Sequence, residues 1–452
     1  MIGTGIFLKS AQMAQAVGTP ALVLAAWAVA GLVALLAALC FAELGAMLPD
    51  AGGEYVYLRA AFGEIPAFLY ACNSFLLGGS SIAAYGAAVA IFLADIHPFG
   101  PEWFTHTVHL FGSSTYIFAF GTRQVIAVGV IAAFAAINCA GVMLGGRVQT
   151  ILTVIKILAI LGVAAGVFLF SATGEVSNLV AAPGALTGGF AGFGAAMFAA
   201  LWAYSGWQYL PMAASEVREP QRTLPRAIVG GTLLVLAIYL LINTAYLWAL
   251  PLWQVASANS TAYPEAPSVA ARAVQTFLGA RAVSVAALIF LISTVGSLNG
   301  TILTRARVSY AAARDGLFFA RFGRLSPNTR VPVTSLVLTC IWAAVLATAG
   351  TFEELTNMAV MSYAIFWIPV ILAVFVLRRR RPTAPRPFRV PGYPLVPLLV
   401  VLVMVWILIS ALLTTPKECV ATIVLILLGL PLYPFFHRRQ PRRPSPSPAP
   451  TA

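Results

Sequence analysis

Trp202-Ala203-Tyr204-Ser205-Gly206-Trp207 sits midway along an apolar run that extends over residues 188–214. Ile2-Gly3-Thr4-Gly5-Ile6-Phe7 sits in a shorter apolar run at the front of the chain. Glycine costs helix stability and frees backbone groups, and hydrocarbon tolerates free backbone groups only where protein or a cavity satisfies them. The chain holds 37 Gly, so one such motif alone reads as close helix packing. Two of them, in the first and sixth apolar runs, read as a broken-helix site, because paired interruptions in two halves point to a midplane transporter site. An unwound segment offers the N–H groups of one half-helix to a carboxylate and the C=O groups of the other to an ammonium. A zwitterionic amino acid carries both.

The rest of the chain fits a membrane setting. Of 452 residues, 60% are apolar and 9% charged, against roughly 25% charged in a soluble domain. Mean hydropathy is +0.90. A soluble enzyme, a disordered chain and a fibrous one are excluded. An outer-membrane barrel would alternate apolar and polar residues, which this sequence does not. Hydropathy gives eleven full spans: 20–48, 66–94, 124–144, 148–170, 188–214, 225–250, 283–303, 331–349, 355–377, 394–414 and 420–436. Residues 2–8 form a twelfth, partial span that Lys9 interrupts, too short to cross ~30 Å of hydrocarbon. It reads as the second half of a truncated first helix, and the expectation is a start on the order of 20–40 residues upstream. A charged amino terminus near the midplane would otherwise cost at least ~2.5–3.5 kcal/mol.

The net charge of +13 does not indicate nucleic acid, because the basic residues lie between apolar runs. Sorted by loop, 21 of the 27 fall on one side, including Arg59, Arg147, Arg218, Arg305, Arg307 and Arg378 to Arg381. Five fall on the other: Lys9, Arg123, Arg272, Arg281 and Lys417. The positive-inside rule makes the richer side cytoplasmic, and the C-terminus with it. Residues 437–452 read as a disordered basic, Pro-rich tail. Cys40, Cys72, Cys139, Cys340 and Cys419 are scattered without a CxxC, so neither a disulfide framework nor a metal site is indicated, and no cofactor.

The stretches around these motifs resemble the amino acid–polyamine–organocation transporters, in the L-type amino acid transporter branch. They are IGTGIF, ALCFAELGAMLPDAGGEYVYLRAAFG, RVQTILTVIKILAI, FAALWAYSGWQYLPMAASEVREPQRTLPRAI, STVGSLNGTILTRARVSYAAARDG and LRRRRPTAPRPFRVPGYP. The resemblance implies an all-α, polytopic membrane protein of the LeuT type, with two inverted five-helix repeats (1–172 and 173–380) and two further helices (381–436). It implies that Gly3, Thr4 and Gly5 hold a substrate carboxylate through backbone amides and that the Ile2 carbonyl takes the amine. Trp202 matches the aromatic that gates the site, with a core or interfacial aromatic as the plainer reading. Ala203, Ser205 and Gly206 fall on the sixth-helix break. The family usually has Gly or Asp where Ser205 stands, which puts that contact in doubt. In animal members a single-span glycoprotein attaches by disulfide through an outer-loop Cys. Residues 95–123 here contain no Cys, so no disulfide-linked heavy chain is expected.

Lys156 lies within span 148–170, and an intramembrane cation is a functional hypothesis by default. It matches the family Lys that stands in place of a sodium site, which implies sodium independence. A buried Lys can also release its proton, and a snorkelling Lys is the bland alternative. Thr294, Ser297 and Thr301 are hydroxyl neighbours for it on the eighth span, or interhelical glue. Glu43 reads as the partner of a cytoplasmic Arg. His97, His106 and His109, with Asp95 and Glu102, read as a solvated loop rather than a zinc site, although one helical face could carry His106 and His109. The absence of Walker, nucleophile-elbow and HExxH motifs argues against an ATP-driven pump or membrane protease. The expected function is a secondary transporter of amino acids, leaning to neutral ones, in the cytoplasmic membrane, by exchange or proton coupling. A membrane-embedded enzyme lacks convergent acid, base or metal groups. A non-transporting sensor on the same fold stays open.

Overall fold

The computed structural model describes residues 1–109, 115–180, 188–260, 262–263, 266–279, 282–414 and 416–437. The tail expected at 437–452 therefore lies, from residue 438, outside the described residues, as does Arg281. The protein is an all-α polytopic membrane protein with one small hairpin. Its elements run α1 Gly5–Val17, α2 Pro20–Met47, α3 Glu54–Phe62, α4 Glu64–Leu76, α5 Gly78–Ile96, β1 Phe104–His109, β2 Thr115–Phe120, α6 Thr122–Cys139 and α7 Val142–Phe170. Then follow α8 Ser177–Val180, α9 Gly189–Tyr204, α10 Tyr209–Met212, α11 Pro220–Ala249, α12 Leu252–Ala256, α13 Val269–Leu278 and α14 Ala282–Arg314. The chain ends through α15 Val333–Ala349, α16 Phe352–Arg380, α17 Leu395–Thr414, α18 Pro416–Leu427 and α19 Tyr433–His437.

Among the described residues, nine stretches are long and apolar enough to cross a membrane, with α9 and α15 as shorter apolar helices. Every predicted full span meets one of these. Leu158, Leu169 and Leu413 are 65%, 72% and 71% exposed, an outward apolar surface that only hydrocarbon accommodates. The helix starts carry ordinary signals. Pro20 follows Thr19, whose Oγ1 accepts from Leu22 N at 3.3 Å. Thr351 and Glu354 form a reciprocal capping box on α16. At the centre α1 packs on α9, α2 on α11, and α5 on α14 and α16.

Three expectations are corrected. Lys9 does not end the first helix: α1 runs through it to Val17. Its buried Nζ donates to Thr356 Oγ1 at 2.9 Å and Gln12 Oε1 at 3.2 Å, so α16 supplies what a loop's water would have. The eighth span does not stop at 303: α14 continues to Arg314 and carries Arg305 and Arg307 inside it, both buried. The apolar count falls there, yet both guanidinium groups find partners inside the protein, the Tyr363 hydroxyl for Arg305 and the Glu216 carboxylate for Arg307. Removing Arg305, Arg307 and Lys9 from the loop sets leaves the charge asymmetry intact. Third, His106 and His109 lie on β1, which pairs antiparallel with β2 from Phe104 opposite Phe120 to His109 opposite Thr115. Alternating Thr, Val, Ile and aromatic residues suit a strand, and a strand does not give residues three apart a shared face.

Candidate functional site

The start of α1 is wedged between the end of α9 and the middle of α14. Thr4 is the N-cap residue, and its carbonyl accepts from Phe7 N at 3.1 Å and Leu8 N at 3.2 Å. The N–H groups of a first helical turn have no intrahelical acceptor and lie at the positive end of the dipole. Glycine is required for the approach. A Cβ on Gly5 would lie 2.6 Å from Ala203 Cα, and one on Gly3 would lie 2.8 Å from Ser297 Oγ and 3.3 Å from the Tyr85 ring. Gly5 thus meets Ala203 directly, which brings the two sequence breaks together.

The sixth run breaks after Tyr204. Ser205 turns extended, with φ −68° and ψ 153°, and Gly206 takes φ +123°, a region that favours glycine. Ser205 N and Oγ both donate to the Trp202 carbonyl, at 3.2 and 2.8 Å, so the hydroxyl is engaged by its own helix end. Gly206 N donates to Gln208 Oε1 at 2.7 Å, and Tyr239 donates to the Ala203 carbonyl at 3.0 Å. Trp202 Nε1 donates to Thr4 Oγ1 at 2.9 Å, and the ring is 2% exposed. Its centroid is 5.2 Å from Tyr85 and 6.3 Å, edge-on, from Phe352. Phe352 also lines a cavity of about 520 Å³ at the hairpin end, with Lys9, Gln12, Glu102 and Arg123 around it. Trp202 therefore packs between Phe352, which lines this cavity, and Thr4 of the first break.

Lys156 turns inward rather than snorkelling. Its Nζ donates to the Ile2 carbonyl at 2.8 Å, to the Ser293 carbonyl at 3.3 Å and to Ser297 Oγ at 3.5 Å. Ser297 Oγ donates to the same Ile2 carbonyl at 2.8 Å. The carbonyl expected to receive a substrate amine thus already meets Lys156 and Ser297, with Ser293 Oγ a third donor at 3.5 Å. Of the hydroxyls expected around Lys156, only Ser297 is there. Thr301 Oγ1 is spent on the Ser297 carbonyl at 2.8 Å, and Thr294 Oγ1 is buried without a partner. Ser293, one helical turn before Ser297, was the missed neighbour, and i,i+4 spacing on α14 was the signal for it.

A second cluster escaped sequence reading. Arg305 Nη2 donates to Tyr363 OH at 2.7 Å, to Tyr209 OH at 3.3 Å and to Ser81 Oγ at 3.4 Å. Tyr209 and Tyr363 are 2.8 Å apart at their hydroxyls, and Ser81 bonds Tyr363. Tyr209 is the first residue of α10, directly after the sixth-run break. Continuing the helical period past residue 303 would have found Arg305.

The arginine-rich end is tied by ion pairs. Arg378 Nε and Nη2 meet the Glu43 carboxylate at 2.8 and 2.5 Å, and Val390 N adds a bond at 2.7 Å. Arg307 meets Glu216 bidentately at 2.7 and 2.9 Å, and Arg59 pairs with Asp315. Glu54, in the short helix between spans, has its carboxyl pushed up to about 7 by burial, against the pull of a backbone bond, Tyr70 and Arg305. Among the described residues no group of three or more His, Cys, Asp or Glu could hold a metal.

Residues 1–429 match the family described as amino acid permease. The chain is 31% identical to the serine/threonine exchanger SteT of Bacillus subtilis over 96% of this chain and 92% of that protein. It is 29% identical to the b(0,+)-type amino acid transporter 1 of Mus musculus over 96% and 85%, respectively. With the Asc-type amino acid transporter 1 of Mus musculus it shares 27% over 96% and 78%. These relatives are transporters rather than enzymes.

Proposed function

We propose, from the premise that this chain belongs to the amino acid permease family, that it is a sodium-independent carrier of neutral L-amino acids. It works in the cytoplasmic membrane, by exchange or proton coupling, with its C-terminus inside. The observation that carries this reading is the juxtaposition of the two breaks, with Gly5 against Ala203 and Lys156 fastened to the first of them. Gly3, Thr4 and Gly5 offer amides at the positive end of α1 to the substrate carboxylate. The ammonium goes to the carbonyl end of α9, around Trp202, Ala203, Ser205 and Gly206, and to the Ile2 carbonyl that Lys156 and Ser297 hold in place. Trp202 is the closure over the bound molecule. Lys156, with Ser297, puts its amino group in the place a coupling cation would need, while Thr294 and Thr301 only line the helix behind it. The two five-helix repeats, 1–172 and 173–380, move against each other around this site. Residues 95–123 hold no Cys, which favours a carrier working without a disulfide-linked heavy chain.

Uptake of labelled L-alanine and L-leucine into proteoliposomes tests the reading. Replacing sodium by choline should leave the rate unchanged, and internal unlabelled amino acid should accelerate an exchanger. A clear sodium requirement would overturn the role given to Lys156.

A further inference from the structure

We infer that Arg305 is a specificity-determining residue for the transported side chain: it favours side chains that end in an oxygen acceptor and excludes cationic ones. The inference rests on the permease reading above and deepens it. Arg305 is 3% exposed, yet among the described residues no carboxylate pairs with it. Only Nη2 is hydrogen-bonded, to the hydroxyls of Tyr363, Tyr209 and Ser81, and the buried Nε has no partner. A guanidinium has five donors and no acceptor, so this one retains unspent donors in a dry setting. Each buried donor left unmade is costly, and a molecule that brings an oxygen to it recovers that cost.

The position is what turns an under-satisfied Arg into a specificity device. Tyr209 joins it to the sixth-run break. Ser81 lies one turn of α5, ~6 Å, from Tyr85. Tyr85 in turn touches the space beside Gly3 and packs against Trp202. Arg305 itself is two turns of α14, ~12 Å, past Ser297, which holds Ile2. Its long side chain covers part of that distance. Through Tyr209 and Ser81 the guanidinium is thus tied to the floor of the region whose roof is Trp202 and whose walls are the two breaks. Glu54 acts on it through space only, and a carboxyl with a midpoint pushed up to about 7 is only partly ionised at neutral pH. A lysine-like side chain entering this floor meets an uncompensated like charge. A carboxamide or carboxylate oxygen meets a waiting donor.

A competition panel on the intact protein in proteoliposomes tests this. The wild type should take L-glutamine in preference to its isostere-like apolar counterpart L-leucine by ~10-fold or more, the worth of one charge-assisted hydrogen bond. L-Lysine and L-ornithine should not compete. Arg305→Gln should erase the preference for glutamine while leucine uptake persists, and should admit lysine as a competitor. Arg305→Lys should retain exclusion of lysine. An L-glutamate arm separates the two oxygen sources: glutamate competing as well as glutamine supports the role of Arg305 while correcting the neutral-substrate reading. Lysine competing as well as leucine in the wild type overturns the inference, and this arm needs no variant to fold. An unchanged glutamine-to-leucine ratio in Arg305→Gln overturns it as well. Loss of all amino acid uptake in the wild type would instead overturn the permease reading itself.

Discussion

Lys156 and Arg305 are both buried cations, both meet α14, and neither has a carboxylate at ion-pair distance among the described residues. They differ in what they hold. Lys156 comes from α7 and spends its donors on the carbonyls of Ile2 and Ser293 and the hydroxyl of Ser297. Those partners belong to the first break and its support. Arg305 comes from α14 itself, bonds only hydroxyls and keeps Nε unused. A buried cation with its donors directed at backbone fixes geometry, because a carbonyl in an unwound segment has no helix partner to return to. A buried cation with unspent donors is poised for something that comes and goes. The contrast separates a strut from a selector.

The strongest way to break the comparison is to disturb the break that Lys156 holds without touching the arginine cluster. Gly5→Val should abolish uptake, since its branch would collide with Ala203 at a backbone distance of 2.6 Å. Size-exclusion chromatography separates a misfolded variant from a folded one that has lost its site. Wild-type uptake by Gly5→Val would sink the placement of the carboxylate subsite. Lys156→Met comes next. It removes two or more charge-assisted bonds and should lower uptake ~100-fold in a protein that still purifies as a monodisperse species. Transport at the wild-type rate would return Lys156 to a bystander. Trp202→Ala should act less, weakening apparent affinity ~10-fold through loss of the Thr4 bond and of packing on Tyr85, with little change in the amount of folded protein. An unchanged half-saturation concentration would leave Trp202 a packing residue.

The difference between the two cations also explains what was legible. Lys156 stands inside a long apolar run, so hydropathy isolates it. The glycine motifs at 3–5 and 205–206 were legible for the same reason, as local violations of a strong pattern. Arg305 reads as a loop residue because apolar density falls after residue 303, and hydropathy cannot tell a helix leaving the membrane from one whose polar face turns into the bundle. Lys9 was misplaced by the same ambiguity. Of the three hydroxyls expected around Lys156 only Ser297 is there, because residue type without helical phase does not place them: Ser293 and Ser297 share a face, whereas Thr294 is rotated away. Tyr85, Tyr209 and Tyr363 carried no local signal, since an aromatic in a membrane helix is ordinary until three of them converge. The hairpin at Phe104–His109 and Thr115–Phe120 carries its signal in β-branched and aromatic alternation, not in the spacing of its histidines.

The smallest expected effect tests whether Arg305 alone feels a carboxylate. Glu54 acts on Arg305, and burial raises its carboxyl from 4.5 to about 7. The buried Oε2 has no hydrogen-bond partner. The folded state therefore binds this proton more tightly than the unfolded one. The associated stability is complete below about 4.5, is lost as pH rises from there to about 7, and stays lost above. Glu54→Gln replaces the ionising group by a neutral one of equal size. It should raise the melting temperature at pH 8 by on the order of 1–3 °C and flatten the trend between pH 5 and pH 7 by a similar amount. Because the substitution also withdraws a carboxylate that acts on Arg305, lysine should compete no better than in the wild type, and the exclusion of cations should sharpen. A pH profile of melting identical to that of the wild type would mean that Glu54 is already neutral or already solvated in the folded protein. Increased competition by lysine would mean that Glu54, not Arg305, sets the charge of the floor.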